Sequence, residues 1–515
     1  MRRSSSGLRL LTRNYLSGFS RLVRCERGNA LIMATAVMIP LLGLVGSSID
    51  LSLTYLARNK LQQACDAGVL AGRKVYTTSV DSNVTAEVRK YVNFNFPQGS
   101  NDTAAFAINP TAGADGAVNL SLATTVKMSI MKVFGFDTLA IATNCTGRQD
   151  FINTDVMLVL DTTLSMNCLP TDSASTYCTS EKSGSKISAL SSAVVSFYDT
   201  LSPAQTKLEA AGLRLRYAMV PYSMTVNTGK LLYAANANWL KNPSNYQQCS
   251  GQNCGSVNNA AVNHSSSWFA STWTGCIEER STANNIRTTS GYTIPANASD
   301  LDVDSLPNGN SGQWTPYDPA AATAKSGLAG IDAACPTQSR RLDRFATSSD
   351  MNSYVNSLTA GGYTYHDIGM IWGARLMSQS GLFASDNPTS YYNFPVNRHM
   401  IFMTDGAMDP DLSAYSAYGV EKHANGGRRV SGDGSQTAQD SSHNARFRMM
   451  CNKVKSMNIS VWVIAFGTSS GTGLTSDLQN CASSPSQAFK VDDQAALNAK
   501  FTQIGQSIGA LRLSQ

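Results

Sequence analysis

Three short segments carry side chains whose types and spacing suit the binding of a small, hard cation. Asp161, Thr163 and Ser165 stand at alternate positions directly after the apolar run Asp155–Leu160, DVMLVL. In extended backbone, alternate side chains point the same way, so one carboxylate and two hydroxyls converge. Thr364 follows the paired glycines Gly361 and Gly362 in TAGGYTYHDIG, where the glycines permit a tight turn that would present a further hydroxyl. Asp405 closes a second apolar run, His399–Thr404, within a Thr-Asp-Gly turn. Each piece alone is common. Taken together, Asp161, Thr163, Ser165, Thr364 and Asp405 form an all-oxygen set suited to Mg²⁺ or Ca²⁺, and Mn²⁺ would also be accommodated. Two carboxylates and neutral hydroxyls leave such an ion incompletely neutralised. An open position would then attract an acidic side chain from a partner, which is binding chemistry rather than catalysis.

The surrounding chain must place three loops at one edge. DVMLVL, HMIFM and Ile459–Phe466 (ISVWVIAF) are short apolar runs of the kind that form strands buried on both faces. Leu213–Pro221 and Ala488–Val491 read as further strands. Lys186–Thr200, with Ile187, Leu190, Val194 and Phe197, and Gln494–Leu511, with Leu497, Phe501, Ile504 and Ile508, have helical spacing. Strands alternating with helices give an α/β fold, a doubly wound and mostly parallel sheet whose ligands sit at the carboxyl ends of the strands. The ordered combination DTTLS, the glycine loop and TDG resembles the metal-ion-dependent adhesion site of von Willebrand factor A (vWA) domains. Threonine stands at 163 where that motif usually has serine. The resemblance implies a vWA/Rossmann-like domain over 151–515 and the metal ligands named above.

Ahead of this domain, Ala30–Ile49 is an uncharged stretch of the length that crosses a bilayer as a helix, with Pro40 inside it. Seven arginines precede it, so the positive-inside bias puts the N-terminus in the cytoplasm and the bulk outside. A cleaved signal peptide would need an unusually long charged leader, which favours a retained anchor. Beyond the span, Leu53, Ala57, Leu61, Ala64, Gly68 and Ala71 form a narrow helical stripe for packing on the stem or on a partner helix. A short helix near Val84–Phe96 and strands over Val118–Met128 and Thr138–Thr146 make a small α+β stem. The opening RGNALIMATAVMIPLLGLVGSSIDLSLTYLARNKLQQACDAGVLAGR and the later ATTVKMSIMKVFGFDTLAIATNCTG resemble TadE/TadG-like proteins of the tight-adherence (Flp) pilus system. Pilin-like members are cut after a glycine and carry a glutamate five residues on. Met33 holds that position after Gly28, which matches the permanently anchored TadG-like branch. The expected organisation is a basic leader over 1–27, an anchor over 28–50, a TadE/TadG-like helix and stem over 51–150, and the vWA domain over 151–515.

Charged residues make up 15% of the 515-residue chain and its net charge is +6, much of it in the leader, so no nucleic-acid footprint is indicated. The vWA span holds a surplus at about 233–344, rich in Asn, Ser, Thr and Gly. Trp239, Trp268, Trp273 and Trp314 read there as the insertion's own small core. Eight of the eleven cysteines lie between Cys168 and Cys481 without paired zinc spacing, which in an exported domain suggests disulfides. Chain order suggests Cys168–Cys178, Cys249–Cys254, Cys276–Cys335 and Cys451–Cys481 without fixing connectivity, and Cys25 is expected to be cytoplasmic and free. No HExxH or P-loop is present. Asp302 and Asp304 read as exposed loop charge, and His366 as a solvated loop residue beside Thr364. The resulting expectation is a non-enzymatic, single-pass inner-membrane protein of Tad/Flp pilus assembly and adherence. Its bulk would be periplasmic or extracellular, and its vWA domain would bind a protein partner, another pilus-assembly component, through the cation. The alternatives are a surface-exposed vWA adhesin and, behind it, a periplasmic hydrolase.

Overall fold

The structure, a computed structural model, describes residues 26–76, 79–113, 117–147, 152–173, 176, 178–250, 256–284, 286–287, 293–309, 312–319, 334–392, 394–423, 429–467 and 474–509. The basic leader through Cys25, and Cys254, lie outside these residues. The described residues divide into two compact units, one within residues 26–147 and the other within residues 152–509.

In the first unit, helix α1 (Glu26–Val75) runs for 50 residues. Met33, Val37, Ile39, Leu42 and Leu44 are all more than half exposed on different sides of it. An apolar surface around the whole helix matches a lipid environment, and the stretch is long enough to span a bilayer. Past Asp50 one face turns inward through Thr54, Ala57, Leu61, Ala64, Cys65, Gly68 and Val69. This face departs from the expected stripe at Leu53, which is exposed; Thr54, one residue on, is covered instead. Helix α2 (Ser82–Asn95) begins at Asp81, whose carboxylate accepts from the Val84 amide at 2.8 Å. Its Val84, Val88 and Val92 lie against Gly68 and Gly72, where a Cβ on Gly68 would sit 2.5 Å from Val92. Strands β1 (Val118–Lys127) and β2 (Thr138–Gly147) pair antiparallel along their whole length. The Cys65–Cys145 disulfide ties α1 to β2, a link not anticipated from the sequence.

The second unit is built on strands β3 (Asn153–Asp161), β4 (Leu215–Tyr222), β5 (Arg340–Asp343), β6 (Phe394–Thr404), β7 (Ile459–Phe466) and β8 (Ala488–Val491). The sheet order is β5-β4-β3-β6-β7-β8, parallel except at the β5 edge, with Ser390–Tyr391 paired antiparallel onto the start of β6. Every residue of β3 is buried. Val156, Leu158 and Leu160 face one core with helices α3 (Lys186–Ala210) and α6 (Gln494–Gly509). Met157 and Val159 face another core with α4 (His366–Met377) and α5 (Gln436–Ser456). This alternation is the period-two signature of a strand covered on both sides, and the fold is the doubly wound α/β sheet read from the sequence.

The segment between β4 and β5 does not make a separate small core. Trp273 and Trp314 are buried in the same core as α4 and α5, with Trp239 and Trp268 packed against it, and Trp314 meets Trp372 of α4 at 5.5 Å. The fully buried Glu279 anchors this join, bonded to Arg375 at 2.8 and 2.9 Å and to the indoles of Trp372 and Trp314. Burial opposes its charge, yet the Arg375 guanidinium holds its carboxyl below the ordinary range. Asp304 is half-buried and bonded to Lys453 and Ser378, which corrects its reading as loose loop charge. Disulfides Cys168–Cys178, Cys276–Cys335 and Cys451–Cys481 lie in this unit. Cys249 is also disulfide-bonded.

Helix α4 rests directly on the sheet because Gly369 has no side chain. A Cβ there would lie 2.6 Å from the Tyr222 ring and 3.0 Å from Val159. Gly369→Val should therefore cost about 1–3 kcal/mol by overpacking. Urea unfolding followed by circular dichroism measures this, and an unchanged midpoint would contradict so close an approach.

Candidate metal centre

Strand order reverses at β3, which has β4 on one side and β6 on the other. Consecutive parallel connections leave the sheet in opposite directions there, opening a crevice at the carboxyl ends. Leu160 pairs with Met403, so Asp161 and Thr404 emerge side by side. Thr404 Oγ1 donates to Asp161 Oδ2 at 2.7 Å, and Asp405 follows in the chain.

The segment after β3 turns back on its own carboxylate. The Thr163 amide donates to Asp161 Oδ1 at 2.9 Å. The Thr163 and Ser165 hydroxyls share a hydrogen bond of 3.1 Å, and Ser165 Oγ donates to Asp405 Oδ1 at 2.9 Å. Asp161, Thr163, Ser165 and Asp405 thus form one hydrogen-bonded chain across the crevice. Thr364 is also buried, but no side-chain hydrogen bond joins it to those four. Its loop is fixed beside theirs by backbone bonds from the Gly361 amide to the Thr162 carbonyl (2.9 Å) and from the Leu164 amide to the Gly362 carbonyl (3.0 Å). Gly362 has φ +78°, the left-handed conformation for which the glycine pair supplies freedom. Thr364 itself bridges to Asp409, whose amide donates to its carbonyl at 3.0 Å.

Three further residues belong to the site. Lys186 opens α3 and its Nζ holds Asp405 Oδ2 at 2.8 Å, with 3% and 0% of the two side chains exposed. A lysine at the first turn opposes the helix dipole, and that anomaly was the sequence signal for a carboxylate partner. His366, buried rather than solvated, bonds Thr404 Oγ1 through Nε2 at 2.9 Å. Burial pushes its imidazole down to about 3, so the ring is neutral. Finally, the Tyr222 hydroxyl lies 3.4 Å from Asp161 Oδ2.

Burial, and then the charge of Asp405, push the Asp161 carboxyl up to about 7, against hydrogen bonds from Thr163 and Thr404. Lys186 meets Asp405 alone, so with both carboxylates ionised the site carries surplus negative charge. That surplus, surrounded by oxygen donors, fits a hard divalent cation. Lys186 sets a limit, because one Asp405 oxygen is already engaged. Cys168, Asp172 and Cys178 also cluster, but the sulfurs are joined to each other and Asp172 bonds Lys182 at 2.7 Å.

Residues 28–74 match the family described as "Putative Flp pilus-assembly TadE/G-like". No curated protein matches the chain. Among solved structures, the chain is similar to the pilus adhesin SpaC from Lactobacillus rhamnosus GG, at 11% identity and TM-score 0.33, over 79% of this chain and 34% of that one. It thus spans about a third of that adhesin's length. It is similar to a von Willebrand factor type A protein from Catenulispora acidiphila, at 11% identity and TM-score 0.27, over 79% and 50% of the two chains. It is also similar to the vWF domain of the type V pili tip protein Mfa5 from Porphyromonas gingivalis, at 10% identity and TM-score 0.31, over 71% and 98%. The matched family segment, residues 28–74, lies within α1, and the second unit has the doubly wound α/β fold described above.

Thr404 is the hydroxyl on which Asp161 depends. Thr404→Val would keep the shape and leave a buried carboxylate oxygen short of a donor, at a cost of about 1–3 kcal/mol. Thermal unfolding of the purified chain measures it, and a midpoint equal to that of the unsubstituted protein would remove Thr404 from the site.

Proposed function

We propose that this protein is a component of Tad/Flp pilus assembly, anchored in the inner membrane with a cytoplasmic N-terminus. Its vWA domain engages an acidic side chain of another assembly component through a divalent cation. The observation that carries this reading is the hydrogen-bonded chain from Asp161 through the Thr163 amide and hydroxyl and the Ser165 hydroxyl to Asp405, at the point where strand order reverses. We assign Asp161, Thr163, Ser165, Thr364 and Asp405 as the residues that would hold Mg²⁺, Ca²⁺ or Mn²⁺. The ion would supply an electrophilic position for a partner carboxylate. Lys186 leaves the two carboxylates with a net charge of about −1 when both are ionised, so a bound divalent ion brings the centre to about +1 and favours an anionic partner. The site is a binding device in this reading: the residues around it would hold an ion and orient hydroxyls.

In cells, Asp161→Asn and Asp405→Asn should abolish pilus-dependent adherence while the protein still accumulates in the membrane fraction. Asparagine keeps the shape and avoids leaving Lys186 without a hydrogen-bond acceptor. Normal adherence in both variants would overturn the cation-dependent role. Protease treatment of intact cells should leave the domain uncut, since a periplasmic domain is shielded; rapid cleavage would favour the surface-adhesin reading.

Lys186→Met removes the competing ammonium. The variant should unfold at a lower temperature than the unsubstituted chain without divalent ions, because two buried carboxylates then lack a counter-charge. It should regain more stability when Mg²⁺ is added. A Mg²⁺ response no larger than that of the unsubstituted chain, read by thermal unfolding, would contradict the assignment.

A further inference from the structure

The turn between β1 and β2 has the composition of a core and the exposure of a surface. Its sequence, Ile130-Met131-Lys132-Val133-Phe134-Gly135-Phe136, forms a short 3₁₀ turn over Met131–Phe134. Val133 is 84% exposed, Phe136 61%, Phe134 40% and neighbouring Leu139 38%. In water, four large apolar side chains at one hairpin tip form a patch that needs a partner.

Its location names the partner. The tip lies against α1 inside the apolar span: Phe134 covers Gly43, with Cζ 3.6 Å from where a Cβ would stand, and Ile130 fills the space over Gly46 so closely that no Cβ fits. Gly43 lies seven residues before Asp50, about 10 Å further along the helix, or roughly a third of the hydrocarbon thickness. The exposed apolar residues of the tip therefore continue the exposed apolar surface of Leu41, Leu42, Leu44 and Val45.

The backbone of the tip is also prepared to leave water. Irregular backbone is tolerated at membrane depth only when its polar groups are satisfied within the protein. The carboxylate of Asp50, itself 3% exposed, accepts from the amides of Ser129 (3.2 Å), Ile130 (3.0 Å) and Met131 (2.8 Å). The Val133, Gly135 and Phe136 amides bond carbonyls within the turn at 3.1, 3.0 and 3.2 Å. Lys132, the one charged residue of the turn, has a stem long enough to reach the headgroups.

We propose that the Ile130–Phe136 turn is a membrane-inserted wedge, docked on the anchor helix and buried about 10 Å deep in the leaflet that the stem faces. Its ligand is the lipid acyl chain. The wedge pins the stem to the bilayer surface and fixes the rotation of α1, because Asp50 binds turn and helix into one body. The proposal rests on the reading of α1 as a membrane anchor.

The test uses the full chain with Cys25→Ser, reconstituted in phosphatidylcholine vesicles and labelled with an environment-sensitive nitrobenzoxadiazole dye at one introduced cysteine. Val133→Cys probes the wedge, Leu42→Cys the anchor, and Phe94→Cys, on the exposed side of α2, the aqueous stem. All three positions are exposed, so labelling should leave the fold intact. Quenching by lipids spin-labelled on the acyl chain should be similar at 133 and 42, within about twofold, and several-fold weaker at 94. Aqueous iodide should give the reverse order. Lipid quenching at 42 without quenching at 133 would overturn the wedge and leave the anchor standing. No lipid quenching at either position would overturn both.

Discussion

Asp161 and Asp405 are two buried carboxylates where β3 and β6 separate, and the arrangement around them is a set of answers to their mutual repulsion. Placing like charges in a buried crevice is costly unless opposite charge or strong donors meet them. Lys186 answers one oxygen of Asp405, Ser165 the other, and Thr404 and the Thr163 amide answer Asp161. Even so the Asp161 carboxyl stays pushed up to about 7 by burial and by Asp405. A sheet of ordinary order would not create this problem. The reversal at β3 does, because it brings two strand ends and a glycine loop to one crevice.

Helix α4 connects that crevice to the rest of the second unit. At its first residue, His366 holds Thr404; near its last, Arg375 holds Glu279 of the segment between β4 and β5. His443 of α5 bonds Asp367 at 2.8 Å, so the same helix is gripped from a second side. The long insertion is thus bolted to the helix that orients the site by fully buried charged groups. Such pairs add little net stability, yet breaking one is expensive, which makes them effective at specifying a single arrangement.

The alternation of apolar strands and amphipathic helices was legible because strands buried on both faces leave unbroken runs such as DVMLVL and ISVWVIAF. The sites of Asp161 and Asp405 were legible for the same reason, each ending such a run. What was not legible depended on distance. Lys186 shows a polarity wrong for its helix but does not name Asp405, 219 residues away. Cys65 and Cys145 are 80 residues apart and belong to elements whose packing the sequence does not specify. The tryptophans were recognisable as core, but composition cannot say that the core is shared with α4. Leu53 and Thr54 differ by one step around α1, and only the position of α2 and the β1–β2 hairpin decides which is covered.

On the proposed reading, the two carboxylates and their hydroxyls form a place for one divalent ion. The most direct measurement is a titration of the purified full chain with Mn²⁺, following free ion by electron paramagnetic resonance. The account predicts saturable uptake of one ion per chain, displaced by excess Mg²⁺ or Ca²⁺ and lost in Asp161→Asn. A chain that leaves the free-ion signal unchanged, or takes up Mn²⁺ equally with that substitution, would contradict it.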